Sequence, residues 1–315
     1  MSLERLSVAS LFLPARTFTL ETFLSPSPET RTFAPEIETQ IDDALEFYRE
    51  RGAVIVYPGH DHYPAEFFEL EDPPLFLSVL GNSAQLIVRD RIAIVGSREL
   101  SHRCARWMEQ ELARFLRIAS TAVIVSGGAR GADQAAHLAA VRAGRPTIVF
   151  LPSGLGEIYP PDLNDWIEPI LRAGGALVSS YAPHDTIRKY RFEGRNRLIA
   201  TLCQLLFVTE ASKRSGSLMT ARLAAEQSKD IAVLPSFPSD LVGQGTLDLL
   251  INNAIVIRDA EDLLMALMST SRAPLVPSSP KALSIPSSPK APPSRNRKEA
   301  VGEPHRDERR QLTLT

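Results

Sequence analysis

Between Ile92 and Phe150 the chain alternates short apolar runs with glycine turns that open helical patterns, and this alternation constrains the fold more than any other feature. Ile92–Val95 runs into Gly96-Ser97-Arg98, and Val123–Val125 runs into Ser126-Gly127-Gly128-Ala129-Arg130-Gly131. Short β-rich runs separated by helical stretches build β-α-β units. The expected class is therefore α/β: an extended Rossmann-like, doubly wound, mostly parallel sheet with helices on both faces. In such sheets ligands collect beyond the carboxyl ends of the strands. Glycine lets backbone approach a ligand closely, and N–H groups at a helix start beside an arginine suit an anion, most naturally phosphate.

The rest of the chain divides around this core. Residues 1–35 carry scattered apolar side chains and Ser-Pro-Ser-Pro without periodicity, and read as an irregular arm. Ile37, Ile41, Leu45 and Tyr48 predict a helix over 36–51, so that 1–53 form an arm and helix ahead of one Rossmann domain at 54–268. Within that domain the basic run Arg188–Arg197 reads as a loop, with a helix beginning at Asn196. From 269 to the end proline and serine dominate, with Ser-Ser-Pro-Lys-Ala occurring twice, and the segment is expected to be a disordered basic tail.

Charge limits the function. The formal net charge is −2, against indiscriminate nucleic-acid binding. From Thr270 onward there are 9 Lys/Arg and 4 Asp/Glu, a local +5, which leaves 26 against 33, or −7, in the body. An anion site in the body must be a local patch. No apolar run reaches the length of a membrane span and no signal pattern opens the chain, so a cytoplasmic protein without membrane partner is expected. Cys104 and Cys203 read as buried free thiols.

Three constellations are candidates for anion binding. The first joins Gly96, Ser97 and Arg98 with Ser126, Gly127, Gly128, Arg130 and Gly131; in it Asp133 caps the turn or pairs with Arg130, and Arg98 and Arg130 form the central phosphate clamp. The second is Ser215, Gly216 and Ser217 with Thr220 one turn on, flanked by Lys213 and Arg214. The third is the basic run, where Phe192, Arg195, Asn196 and Arg197 interleave ring, amide and cation as single-strand binding requires. So charged a run is expected outside the core, with Phe192 exposed. His137 reads as a packed helix histidine, and His60-Asp61-His62 as a turn lacking a third metal ligand. No catalytic residue, metal or cofactor is expected.

Taken together these residues resemble the DNA-processing protein A (DprA/Smf) family, over roughly Val54 to Leu264. The resemblance is carried by Tyr63-Pro64 with Asp-Pro-Pro-Leu-Phe, Val-Gly-Ser-Arg, Ser-Gly-x-Ala-Arg-Gly-x-Asp-x-x-Ala-His, Gly154 to Tyr159-Pro160, Phe-x-x-Arg-Asn-Arg-x-Ile-Ala, and Ser-Gly-Ser-Leu-x-Thr-Ala. It implies a Rossmann-like homodimer that binds and protects single-stranded DNA and promotes loading of the recombinase RecA in natural transformation. On that resemblance Arg98, Arg130, Phe192, Arg195, Arg197 and the Ser215–Ser217 loop contact DNA. The chain departs from the family pattern at Gly128, Ala132, Ser236, Leu247 and Asn253.

Two other classes compete. A nucleotide phosphoribohydrolase of the lysine-decarboxylase-like (LOG) group would need Pro-Gly-Gly-x-Gly-Thr-x-x-Glu, and here Gly243-Gln244-Gly245-Thr246 is followed by Asp248 with no glutamate three residues after the threonine. A nucleotide-sensing module would use the same pockets without DNA.

Overall fold

The computed structural model describes residues 2–14, 17–24 and 32–272. Among these residues nine strands form one mixed sheet in the order β1-β2-β6-β5-β4-β3-β7-β8-β9. The parallel part comprises β3 (Arg91–Val95), β4 (Val123–Ser126), β5 (Thr147–Phe150), β6 (Ala176–Ser179), β7 (Leu205–Val208), β8 (Asp230–Val233) and β9 (Ile255–Val256). β1 (Ala53–Val56) and β2 (Leu77–Gly81) continue the sheet antiparallel from β6. Strands covered on both faces read as unbroken apolar runs, and β3 and β7 are buried at every position.

Alternation along each strand divides the core. Ala93, Val95, Val125 and Leu206 point to one face, packed against α8 (Lys189–Leu202) and α9 (Gly216–Glu226). Ile92, Ile94, Ile124 and Phe207 point to the other. That face is covered by α4 (His102–Trp107) and α5 (Ala113–Ile118), joined by a π turn, and by α6 (Ala132–Arg142) and α11 (Ala260–Arg272). α7 (Asn164–Arg172) and α10 (Gln244–Ile251) complete the layers.

The strand alternation is the doubly wound α/β fold expected, but two stretches differ. The start of the chain is helical and packed. α1 (Leu3–Ala9), capped by Ser2, buries Leu6, Val8 and Ala9; Ser7 Oγ donates to the Leu75 carbonyl at 2.8 Å; and Arg5 bridges Glu38 and Asp42 of α3 (Pro35–Glu50). Phe23 of α2 (Leu20–Leu24) is buried as well. A seven-residue helix holds too few turns for its apolar spacing to stand out. Residues 15–16 and 25–31 of the expected arm lie outside the described residues.

The second difference is the basic run, which is not a loop. α8 begins at Lys189, and Arg195, Leu198, Ile199 and Leu202 are buried at the i, i+3, i+4, i+7 spacing of a helix face. The first member of that buried stripe is an arginine, so the pattern reads as polar where the helix is packed. At the other end α11 runs to Arg272, past the expected boundary at 268, and residues 273–315 of the expected tail lie outside the described residues.

Candidate nucleic-acid interface

Chain order and sheet order part company at β3. β4, β5 and β6 stack outward on one side of it, and β7, β8 and β9 on the other. Such a switch point leaves a crevice beyond the carboxyl ends of the two central strands. Here a cleft of about 980 Å³ lies there, lined by Val95–Arg98 after β3, Ala129 and Asp133 after β4, Ile187–Tyr190, Phe192, Glu193, Arg195 and Asn196 around the start of α8, and Ser212, Ser215–Ser217, Met219 and Thr220 after β7.

The loops after β3 and β4 are joined to each other. The Ala132 N–H donates to the Ser97 carbonyl at 3.0 Å. Gly131 has φ +80°, and a Cβ on it would lie 2.3 Å from that same carbonyl oxygen. Ser97 Oγ turns back on its own loop, donating to the Glu99 carbonyl at 2.7 Å. Arg98 is exposed, and no hydrogen bond or ion pair holds its side chain among the described residues.

The turn after β4 differs from the expectation. Its N–H groups do not await an anion: those of Gly127 and Ala129 donate to Asp133 Oδ2 at 3.1 and 3.3 Å. Asp133 caps this turn, but its cation is Arg195, at 3.8 Å, while Arg130 pairs with Asp162 at 3.2 Å. Arg130 therefore lies outside this cleft, in a smaller neighbouring one that also includes Gly127. Arg98 lines that neighbouring cleft as well, so the paired strands β3 and β4 bring the two expected clamp arginines to one cleft, Arg130 held by Asp162 and Arg98 by no ion pair among the described residues. Ser126 is fully buried and donates Oγ to the Ile94 carbonyl at 2.5 Å, so its hydroxyl belongs to the sheet. Gly128 packs on Leu163 and Val149 instead of lining the cleft.

Arg195 sits at the floor of the cleft with 5% of its surface exposed. A Cβ on Gly127 would lie 0.9 Å from its Nη1, so the glycine makes room for the guanidinium. Burial lowers the Arg195 pKa and raises that of Asp133; each charge opposes the shift of the other. Arg195 Nε is buried without a hydrogen-bond partner. Beneath the pair, burial and the Arg195 charge push His137 down to about 3. Thr147 Oγ1 donates to the Ile124 carbonyl at 3.0 Å, so His137 Nδ1–H donates to Thr147 at 2.7 Å and Nε2 is left an unpaired acceptor. His137 is a neutral core histidine.

On the β7 side, Ser215 caps α9 by accepting from the Ser217 N–H at 3.1 Å, and Ser217 Oγ donates to the Gly96 carbonyl at 2.6 Å. The Ser217 hydroxyl ties the β3 and β7 loops together instead of pointing outward, while that of Ser215 closes the local cap. Thr220 is buried at 1% exposure, and Gly216 is exposed at the cleft. Phe192 is half-buried, edge-on to Tyr159 with centroids 6.0 Å apart, and the Arg195 guanidinium lies 5.9 Å from its centroid. Asn196 lines the cleft; Arg197 points elsewhere, with Nη2 3.3 Å from the Asp72 carbonyl. The expected basic run also brings Arg188, Lys189 and Tyr190 to the cleft, where Ile187 and Met219 join them, all exposed. Tyr190, at 67% exposure, was visible in the interleaved run; Ile187 and Met219 carried no signal of their own.

The motifs that converge here are matched as a set over residues 54–268 by the family DNA recombination-mediator protein A. The chain belongs to this family. It is 34% identical over 228 residues to DNA processing protein DprA of Streptococcus pneumoniae, covering 71% of this chain and 78% of that protein. It is also 34% identical to the Smf protein of Synechocystis, of which it covers 56%. Among solved structures, pneumococcal DprA superposes with a TM-score of 0.65 at 33% identity, over 73% of this chain and 80% of the other. DNA processing protein A of Helicobacter pylori, a structure described for its single-stranded DNA binding mode, gives 0.60 at 30% identity, over 69% and 96%. Asn253, one departure from the family pattern, adopts the left-handed conformation with φ +68°, which asparagine tolerates better than most residues.

The competing hydrolase signature does not form a site. Thr246 is fully buried, with Oγ1 donating to the Gly243 carbonyl at 2.7 Å, and the Gly245 N–H donates to Ala211. Among the described residues no cluster of side chains could hold a metal ion, and no helix is long and apolar enough to cross a membrane.

Proposed function

We propose that this protein binds single-stranded DNA in the switch-point cleft and acts as a recombination mediator. The observation that carries this reading is the company of side chains in one crevice: exposed Arg98, Arg188 and Lys189 around exposed Tyr190, Met219 and Ile187, with Phe192 half-buried among them. Cations that follow phosphates and rings that stack on bases give affinity without sequence preference. A volume near 980 Å³ is large for one mononucleotide and open enough for a strand to pass. The H. pylori relative supports the same reading.

Fluorescence anisotropy of labelled oligo-dT at two salt concentrations tests it. Oligo-dT should bind well ahead of duplex DNA and of mononucleotides, and log affinity should fall with log salt by about 0.7 per phosphate contacted. Phe192→Ala should weaken binding by about 1–3 kcal/mol. Equal affinity for duplex and oligo-dT would defeat the reading.

The finer role follows the resemblance: a homodimer that shields single strands and promotes RecA loading. Val256 on the outermost strand β9 and Ile251 at the end of α10 are exposed, and a second copy would cover such an apolar edge. Light scattering reads the oligomeric state. RecA ATP hydrolysis on strands already coated by single-strand-binding protein reads the loading.

A further inference from the structure

Phe192 lines two clefts. Arg98, Ala129 and Arg195 line both with it, so the clefts share a wall. The second, about 520 Å³, is closed by the Gly127–Arg130 turn on one side and by Pro152, Tyr159, Pro160 and Pro161 on the other.

Its chemistry differs from that of the first. Arg130 is paired with Asp162, Arg195 faces Asp133, and Glu99 adds a carboxylate. Only Arg98 brings an unpaired cation, so the cleft suits one phosphate at its mouth and no more. The rest of the wall is proline and aromatic. Tyr159 and Phe192 meet edge to face, with planes 85° apart. An edge-to-face contact covers at most one face of one of the two rings, both rings are partly exposed, and Tyr159 makes no hydrogen bond through its hydroxyl among the described residues. Such walls take the flat apolar face of a base.

We propose that this second cleft receives one nucleobase, stacked on Tyr159, from the strand whose phosphates lie in the main cleft. The inference rests on the single-stranded DNA reading. A phosphate held by Arg98 stands at the boundary of both clefts, so one backbone turn carries the next base across Phe192. The volume accommodates a single nucleotide. Stacking without hydrogen-bond readout keeps the site indifferent to which base enters.

The experiment is an abasic scan. Each position of a short oligo-dT is replaced in turn by an abasic residue, and binding is measured to the full-length parent, Tyr159→Ala and Tyr159→Phe. Tyr159→Ala should weaken binding of unmodified oligo-dT by about fivefold or more, and Tyr159→Phe should match the parent. One abasic position that weakens the parent should have no further effect on Tyr159→Ala. If Tyr159→Ala melts early, Tyr159→Leu keeps the bulk without the ring and gives the same comparison. A parent that binds oligo-dT, with every abasic penalty carried unchanged into the Tyr159 variants, overturns the proposal alone. A parent that fails to bind oligo-dT overturns the DNA reading with it.

Discussion

Two arginines are buried to nearly the same degree at opposite ends of the parallel strands, and they are held very differently. Arg91 opens β3 at 2% exposure. Its Nε donates to the Leu202 carbonyl at 2.9 Å, and its two terminal nitrogens reach the Leu86 carbonyl and the Glu66 carboxylate. Arg195, at 5%, stands beyond the carboxyl ends, with Asp133 at 3.8 Å and an Nε that nothing accepts. A buried guanidinium with every direction filled is a structural tie. One with an unfilled donor beside an open crevice is no such tie, and on the proposed function it is the guanidinium that a bound strand would partner.

The sharpest contrast comes from removing each. Arg91→Ala leaves two carbonyls and a carboxylate without their donor, and should cost about 3–5 kcal/mol of stability in urea denaturation. The fraction that folds should bind oligo-dT like the parent. Arg195→Ala should show the reverse: binding weaker by about 1.5–3 kcal/mol, the scale of a hydrogen bond to a charged group, with a smaller loss of stability. Gly127→Ala should reproduce the binding defect while leaving Arg195 in the chain, because the added methyl takes the place of Nη1. If Arg195→Ala behaves like Arg91→Ala, the contrast between the two ends is void.

His137 extends the comparison to pH. Its folded value, about 3, lies below the ordinary histidine value, so the unfolded chain takes up the proton first as pH falls. The neutral histidine's contribution is complete above about pH 6.5 and is lost toward pH 3, at up to about 1.4 kcal/mol per pH unit. Stability of His137→Leu should fall less steeply over that window. Arg195→Met should flatten the slope slightly, since the guanidinium adds to the depression. A His137→Leu profile parallel to the parent's would mean the imidazole takes up its proton equally in the folded and unfolded states.

The smallest effect belongs to Arg130. Its pair with Asp162 is exposed, and exposed pairs contribute about 0–1 kcal/mol. Arg130→Ala should leave the melting temperature nearly unchanged and reduce oligo-dT affinity less than Arg98→Ala does. Equal losses would support the two-arginine clamp that the spacing predicts.

The same pair of arginines marks where sequence is legible. Strand runs such as Ile92–Val95 and Leu205–Val208 announce themselves because both faces are covered, and the glycine turns behind them place the crevice. Which group fills a turn does not follow from the turn. Ser126, Asp133 and Ser217 look like free donors or caps in one dimension, and in the fold their partners are Ile94, Arg195 and Gly96. Arg195 disguised the packed face of α8 because a helix-periodic stripe is sought among apolar residues. The reciprocal sign was Gly127, whose missing Cβ makes sense only once the guanidinium is seen against it.

The sheet order also bears on how the protein comes into being. β3 acquires one neighbour, β4, soon after it is made, but its other edge is covered only by β7, with Ile92 facing Leu205. The crevice then needs the turn through Thr220 to close its far wall. A growing chain emerging from the ribosome thus carries Gly96-Ser97-Arg98 long before it owns a binding site. Any message truncated ahead of that turn yields a product that lacks the completed cleft.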